Sequence, residues 1–120
     1  MHSGQGLIGV GAGGEGSVTV SGPTSAWDPF NNIYVGFEGL GRLSVLEGAT
    51  VRTVGSSAPG AAATVYIGSQ PGGVGTVTVA STTADISTLT ASDRIEIGSA
   101  GTGTLNIAKG GLAVDGNAQV

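Results

Sequence analysis

The stretch from Arg94 to Val114, RIEIGSAGTGTLNIAKGGLAV, decides how the whole chain is read. Ile95 and Ile97 lead into Gly98, a turn of small residues reaches Gly103, and Leu105 and Ile107 then alternate with Thr104 and Asn106. Alternation with a period of two describes a strand with one buried and one wet face, so the segment is a strand, a turn and a strand. The same arrangement occurs at Ile33-Tyr34-Val35-Gly36 with Gly41-Arg42-Leu43-Ser44-Val45, and at Val65-Tyr66-Ile67-Gly68 with Gly75-Thr76-Val77-Thr78-Val79. Leu7-Ile8-Gly9 with Gly16-Ser17-Val18-Thr19-Val20 opens the chain as a fourth, incomplete copy. It has Gly6 where the others carry Ile33, Val65 and Ile95, and it is read as starting within a rung.

A single unit of roughly thirty residues cannot bury its own apolar face, whereas stacked units share a continuous core. Equivalent positions then lie above one another at about 4.8 Å per rung. Gly9, Gly36, Gly68 and Gly98 suit the corners of such a coil, since tight turns need a positive φ that glycine adopts without strain. The expected fold is all-β: a right-handed parallel β-helix, or β-solenoid, of four Gly-rich repeats. Residues 1–120 form one such unit, with repeats at 5–32, 33–64, 65–94 and 95–120. An antiparallel sandwich with Gly-rich turns is the competing fold.

Glu47-Gly48 turns the chain in the second copy, and Ala49 to Val54 can supply a third strand, which makes the coil three-faced. The uncharged segment from Gly55 to Ala63 reads as a corner insertion, and Gln70-Pro71-Gly72-Gly73 lengthens the first turn of the third copy relative to copies two and four. Ala84 to Ser92, with Ile86, Leu89 and Ala91, reads as a third strand with a bend. Gly22-Pro23, Asp28-Pro29 and Asn31-Asn32 form a cluster of turn formers that reads as a loop. Within it, Trp27 and Phe30 are expected to fold back over the end of the core, with a carbohydrate-stacking platform as the functional alternative. Asp115-Gly116-Asn117 reads as a turn into a further rung.

Composition narrows the function classes. Twenty-four of the 120 residues are glycine, against a usual share of about 7%. The Gly-X-Y period of collagen is absent and the aliphatic alternation is too regular for a linker. Charged residues make up 10% of the chain, and four basic against eight acidic residues leave a net charge of −4. That balance offers no electrostatic footprint for nucleic acid and none for an anionic membrane surface. With no cysteine, neither disulfides nor thiol chemistry contributes. No apolar run is long enough to cross a bilayer as a helix, so no membrane insertion by this segment is expected. Met1 to Gly6 has neither a basic region nor an apolar core of signal-peptide type.

Candidate chemistry is sparse. His2, the only histidine, lies in the terminus, and a zinc-type cluster has no ligands to draw on. Gly13-Gly14-Glu15-Gly16 is the nearest approach to a calcium-binding repeat, but it lacks the recurring aspartate. The densest charge group is Asp93-Arg94-x-Glu96. Alternation puts Arg94 and Glu96 on one outward face, where an exposed ion pair contributes about 0–1 kcal/mol. A lyase or hydrolase site on the outside of a β-helix needs acids and bases converging from adjacent rungs. The counterparts of Arg94 are Asn32 and Thr64, and those of Glu96 are Tyr34 and Tyr66, which reads as an outer ladder. The outward pairs Ser17/Thr19, Arg42/Ser44, Thr76/Thr78 and Thr104/Asn106 admit an ice-binding reading that Arg42 interrupts. No catalytic, cofactor-binding or metal residue is assigned.

The motifs Tyr34-Val35-Gly36, Gly101-Thr102-Gly103-Thr104-Leu105-Asn106-Ile107 and Gly110-Gly111 resemble the repeat of autotransporter (type V secretion) passenger domains and of PEP-CTERM-associated surface proteins. Val20-Ser21-Gly22 with Ser25 and Trp27 resembles the link between copies, whereas copy three departs, with Thr82 where Gly48 and Gly110 stand. The resemblance covers nearly the whole chain. It implies a parallel β-helix at the bacterial cell surface, a non-catalytic stalk or adhesin, with signal and translocator outside these residues. Its partners would be a host surface or a glycan; the alternative is a polysaccharide-active β-helical enzyme, with ice binding third. Because the array opens inside one rung and stops inside another, its uncapped ends are expected to make it marginal alone or to drive self-association.

The face assignment is testable at neighbouring positions. Val77→Asp places a carboxylate in the shared core and is expected to destabilise by several kcal/mol, while Thr78→Asp stays within about 0.5 kcal/mol. Equal shifts in denaturation midpoint would refute the assignment.

Overall fold

The computed structural model describes residues 2–3, 5–53 and 63–115, and every regular element among them is a strand. A two-residue strand, β1 (His2–Ser3), precedes four coils of three strands each. The first coil holds β2 (Gly6–Ile8), β3 (Glu15–Ser21) and β4 (Ala26–Pro29), and the second holds β5 (Ile33–Val35), β6 (Leu40–Leu46) and β7 (Thr50–Arg52). The third holds β8 (Val65–Ile67), β9 (Val74–Ala80) and β10 (Ser87–Ala91), and the fourth β11 (Ile95–Ile97), β12 (Thr102–Ile107) and β13 (Gly111–Asp115). Strands that occupy the same place in successive coils pair in parallel, giving sheets ordered β2-β5-β8-β11, β3-β6-β9-β12 and β1-β4-β7-β10-β13. The chain is a three-faced parallel β-solenoid.

Register is continuous from rung to rung. Val18, Leu43, Val77 and Leu105 form one inward column, and Val20, Val45, Val79 and Ile107 the next. In the two inner rungs these residues, together with Ile33, Val35, Val65, Ile67, Val51 and Leu89, are fully buried. In the outer rungs Val18, Leu105 and Ile97 are only partly buried. Burial in the long-strand columns is greatest with a neighbour on both sides, as it must be when the core is shared between rungs, although Ile8, Trp27 and Ile95 of the outer rungs are buried too.

The corners explain the glycines. Gly36, Gly68 and Gly98 each donate their N–H to the carbonyl of the preceding rung, Ile8, Val35 and Ile67, at 2.7–2.8 Å, so with Gly9 they form one column. All four have φ between 67° and 74°. Gly16, Gly41, Gly75 and Gly103 form a second column one corner on. There the obstacle is space: a Cβ on Gly103 would lie 2.6 Å from the Gly98 nitrogen and would collide with the Ile67 carbonyl.

The first turn alternates in length. Gly9–Gly14 and Gly68–Gly73 are two residues longer than Gly36–Gly39 and Gly98–Gly101, as expected of the third coil relative to the second and fourth, and the first coil shares the long form. Both long turns are closed the same way, by Gly14 N–H on Gly11 O and by Gly73 N–H on Gln70 O, each at 2.9 Å. Gly13 and Gly72 take positive φ at the third position of a type II turn, and Pro71 precedes Gly72 as that turn favours.

Several expectations are corrected. Gly6 pairs with Ile33 and begins a complete strand, so the first coil is whole rather than cut mid-rung, and β1 pairs beyond it with Asp28 and Pro29. The presumed loop contains β4, and Trp27 is 5% exposed, facing the core beside Val51. A buried indole cannot serve as a carbohydrate platform, although Phe30, 49% exposed, does lie outside. Ile86, expected in the third strand of its rung, is 61% exposed and precedes it. Ser87 takes the inward position instead: its hydroxyl donates to Ala80 O at 2.7 Å and accepts from Gly48 N at 2.9 Å. Ser25 makes the same bond to Ser21 O at 2.6 Å in the first coil. Residues 54–62, which hold most of the proposed corner insertion, and the turn after Asp115 lie outside the described residues.

Gly6 and Trp27 exchange volume. A Cβ on Gly6 would sit 2.8 Å from Trp27 Cη2, so the indole fills the place that Ile33, Val65 and Ile95 occupy in the other coils. Gly6→Val is expected to cost about 1–3 kcal/mol by overpacking, and Trp27→Ala about 3–5 kcal/mol by leaving a cavity. Combined, Gly6→Val with Trp27→Ala should cost clearly less than the sum in urea denaturation. Additive losses would show that the two positions do not share that space.

Candidate functional site

Each outward face of the solenoid repeats its chemistry from rung to rung, so candidate sites are columns. On the sheet of short strands the column is Leu7, Tyr34, Tyr66 and Glu96. Tyr34 and Tyr66 stack with ring centroids 4.7 Å apart and planes 4° from parallel, a distance set by the spacing of their strands. Phe37 meets Tyr34 edge-on at 5.3 Å and 85°. The facing surfaces of the tyrosines are therefore occupied by each other.

A polar chain runs beside this column. Asn32 donates from Nδ2 to Tyr34 OH at 3.2 Å and accepts the Thr64 backbone N–H on Oδ1 at 2.8 Å. Thr64 Oγ1 in turn donates to Asp93 Oδ2 at 3.0 Å. Arg94 closes the chain with Nε on Glu96 at 2.7 Å and Nη1 on Asp93 at 3.2 Å. The Glu96 hydrogen bond and then its charge hold the Arg94 guanidinium above its ordinary value, against an opposing effect of desolvation that is larger than either of the supporting contributions of Asp93 and Tyr66. One guanidinium thus binds both carboxylates, each partly exposed, and the group acts as a clasp between strand and corner.

The outer ladder of Tyr34, Tyr66 and Glu96 lies where the alternation put it, with Arg94 and Glu96 paired on one face. What the sequence did not display is the link Asn32–Thr64–Asp93. Asn32 and Thr64 stand two residues before the tyrosines and Asp93 three before Glu96, outside β5, β8 and β11 and at the corner, where side-chain direction is set by the turn. The available signal was the presence of short hydrogen-bonding side chains at consecutive corners.

The sheet of long strands carries the hydroxyl rows. Ser17, Arg42, Thr76 and Thr104 stack in one outward column and Thr19, Ser44, Thr78 and Asn106 in the next, as alternation required. Arg42 stands in the first row, exposed, and with Glu15 and Leu40 it borders a shallow groove of about 250 Å³. On the third face Arg52 pairs with Asp28 at 3.6 Å.

At the corner between long and third strands, Glu47 takes φ 54° beside Gly48 at 87° and its Oε2 accepts from Thr82 N at 3.1 Å and Thr82 Oγ1 at 2.9 Å. This bond accounts for the departure of copy three at Thr82: its corner is longer, and the rung beneath supplies a carboxylate to hold it.

The residues singled out for metal chemistry do not converge. His2 pairs through its backbone with Asp28, and Glu15 lies on the outer face of β3. Among the described residues no group of three or more histidines, cysteines, aspartates or glutamates is placed to hold a metal ion. No described helix is long and apolar enough to cross a membrane. Comparison of the chain with protein-family models, with curated proteins and with solved structures finds no match in any of the three.

Proposed function

We propose that this chain is a structural segment, a stalk or adhesin portion, of a secreted bacterial surface protein of the autotransporter type, and that it performs no catalysis. The observation that carries the reading is the unbroken register of the long strands. β3, β6, β9 and β12 pair over six or seven residues with no slip, so each long strand rests on the last along its length. Such an array is a rod whose length grows with repeat number at about 4.8 Å per rung. Its outward rows of serine and threonine suit a wet environment without depending on charge. An adhesin role would place a glycan or host-surface ligand on those outward columns. The motif resemblance from Tyr34 to Gly111 supports the surface assignment.

Localisation tests the reading directly. Antibody raised against residues 1–120 is expected to label intact cells of the source organism, and external protease to remove that label. Labelling that requires lysis would refute a surface role. A glycan array separates the stalk from the adhesin, and reducing-end release from any bound polysaccharide would overturn the non-catalytic assignment.

A further inference from the structure

Tyr34 and Tyr66 are the only tyrosines of the chain, and the fold sets them in one outward column on neighbouring rungs. Both are half-buried, on the outer face of the sheet of short strands. Their ring centroids stand 4.7 Å apart with planes 4° from parallel. Identical residues in parallel register are related by little more than a shift of one strand spacing, so the ring carbons beside one hydroxyl lie against those beside the other. Leu7 and Glu96 flank the pair in the column and offer no further phenol. The chain holds no cysteine, and Trp27 is 5% exposed. Among the described residues the tyrosine pair is therefore the accessible group that gives up single electrons most readily.

We propose that this pair is an oxidative modification site, at which a dityrosine bond staples the second rung to the third. Each phenol gives up one electron and its hydroxyl proton, leaving a phenoxyl radical with spin on the oxygen and on the ring carbons beside it. A carbon–carbon bond forms between one such carbon of each ring. Each bonded carbon then loses its hydrogen as a proton while the oxygen of that ring regains one, which restores both phenols. The pair has lost two electrons and two protons in all. One molecule of hydrogen peroxide, acting through a haem peroxidase, takes them up and becomes two waters.

Placement favours coupling within one chain. Two groups held side by side meet at an effective concentration far above that of any second molecule. The backbone need not move, since β5 and β8 stay at pairing distance while the rings turn about their side-chain bonds. Phe37, edge-on to Tyr34 at 5.3 Å, and Asn32, whose Nδ2 donates to the Tyr34 hydroxyl at 3.2 Å, hold Tyr34 in place. The position equivalent to Phe37 on the next rung is Ser69, so no aromatic bulk stands there against a turn of Tyr66. The bond closes residues 34–66 into a covalent loop, which stabilises by limiting the unfolded chain as a disulfide does. In a chain without cysteine it is a covalent tie that oxidising surroundings can supply. This goes beyond the surface reading and holds wherever the chain meets such an oxidant, so the two can fail separately.

Oxidation of the native chain at micromolar concentration with hydrogen peroxide and a haem peroxidase tests the proposal. The product is expected to remain a single chain on a denaturing gel, to weigh two hydrogen atoms less, to show the blue emission of dityrosine, and to melt at a higher temperature than the untreated chain. Proteolysis should release a branched peptide joining Tyr34 to Tyr66. Unfolding in urea before oxidation should lower the yield of this cross-link about tenfold or more, since the placement is then lost. Two variants of equal composition isolate the geometry. Tyr66→Phe with Leu7→Tyr puts the phenols at positions 7 and 34, on neighbouring rungs of the same column, and should restore the cross-link that Tyr66→Phe alone abolishes. Tyr34→Phe with Leu7→Tyr puts them at positions 7 and 66, two rungs apart, and should not couple. A native chain that stays unmodified or yields only linked dimers or oxygenated monomer, or a variant with phenols two rungs apart that couples as readily as the wild type, would overturn the proposal.

Discussion

Where one rung's Gly-x-Gly corner lies against the rung before it the backbones come too close for a Cβ, and the rest of the structure depends on that approach. Pairing strands in parallel at one residue per residue forces like positions to face each other through every rung. A side chain tolerated once must therefore be tolerated by its copies above and below. At Gly75 and Gly103 the carbonyls of Val35 and Ile67 leave no room for a Cβ. The aliphatic columns follow from the same constraint, because Leu43 over Val77 buries both without a void only if the corners hold the rungs in register.

How much of this was legible depended on whether period two governed the residue. The long strands and the leading short strands alternate cleanly, and their faces, columns and parallel stacking could be read from Val77, Thr78 and their counterparts. The third strands could not be read so well, because their inward residues vary from Trp27 to Ala113. Trp27 was hidden by neighbouring turn formers, Pro23, Asp28 and Pro29, whose local preference was overridden by a core with space for an indole above Gly6. Ile86 misled in the opposite way. Its hydrophobicity suggested the core, but the corner of the third rung is longer than its neighbours, and the inward place went to Ser87, whose hydroxyl satisfies a carbonyl and an amide at the bend.

The outer columns were legible as rows and illegible as contacts. That Tyr34, Tyr66 and Glu96 share a column follows from spacing alone. The chain from Asn32 through Thr64 to Asp93 requires knowing that corners far apart in sequence bring the Asn32 side chain to the Thr64 backbone N–H and the Thr64 hydroxyl to Asp93, at 2.8 and 3.0 Å. These bonds tie rungs together on the outside, as the aliphatics do within.

The alternation of long and short first turns makes the true repeating unit two rungs rather than one. Gly9–Gly14 and Gly68–Gly73 protrude at one edge with a short turn between them, so that edge is corrugated with a spacing of about 10 Å, twice the distance between strands. A molecule lengthened or shortened by a pair of rungs keeps this corrugation. Removal of one rung sets two protruding turns directly against each other. The edge therefore carries a parity that the core, with its single-rung columns, does not record.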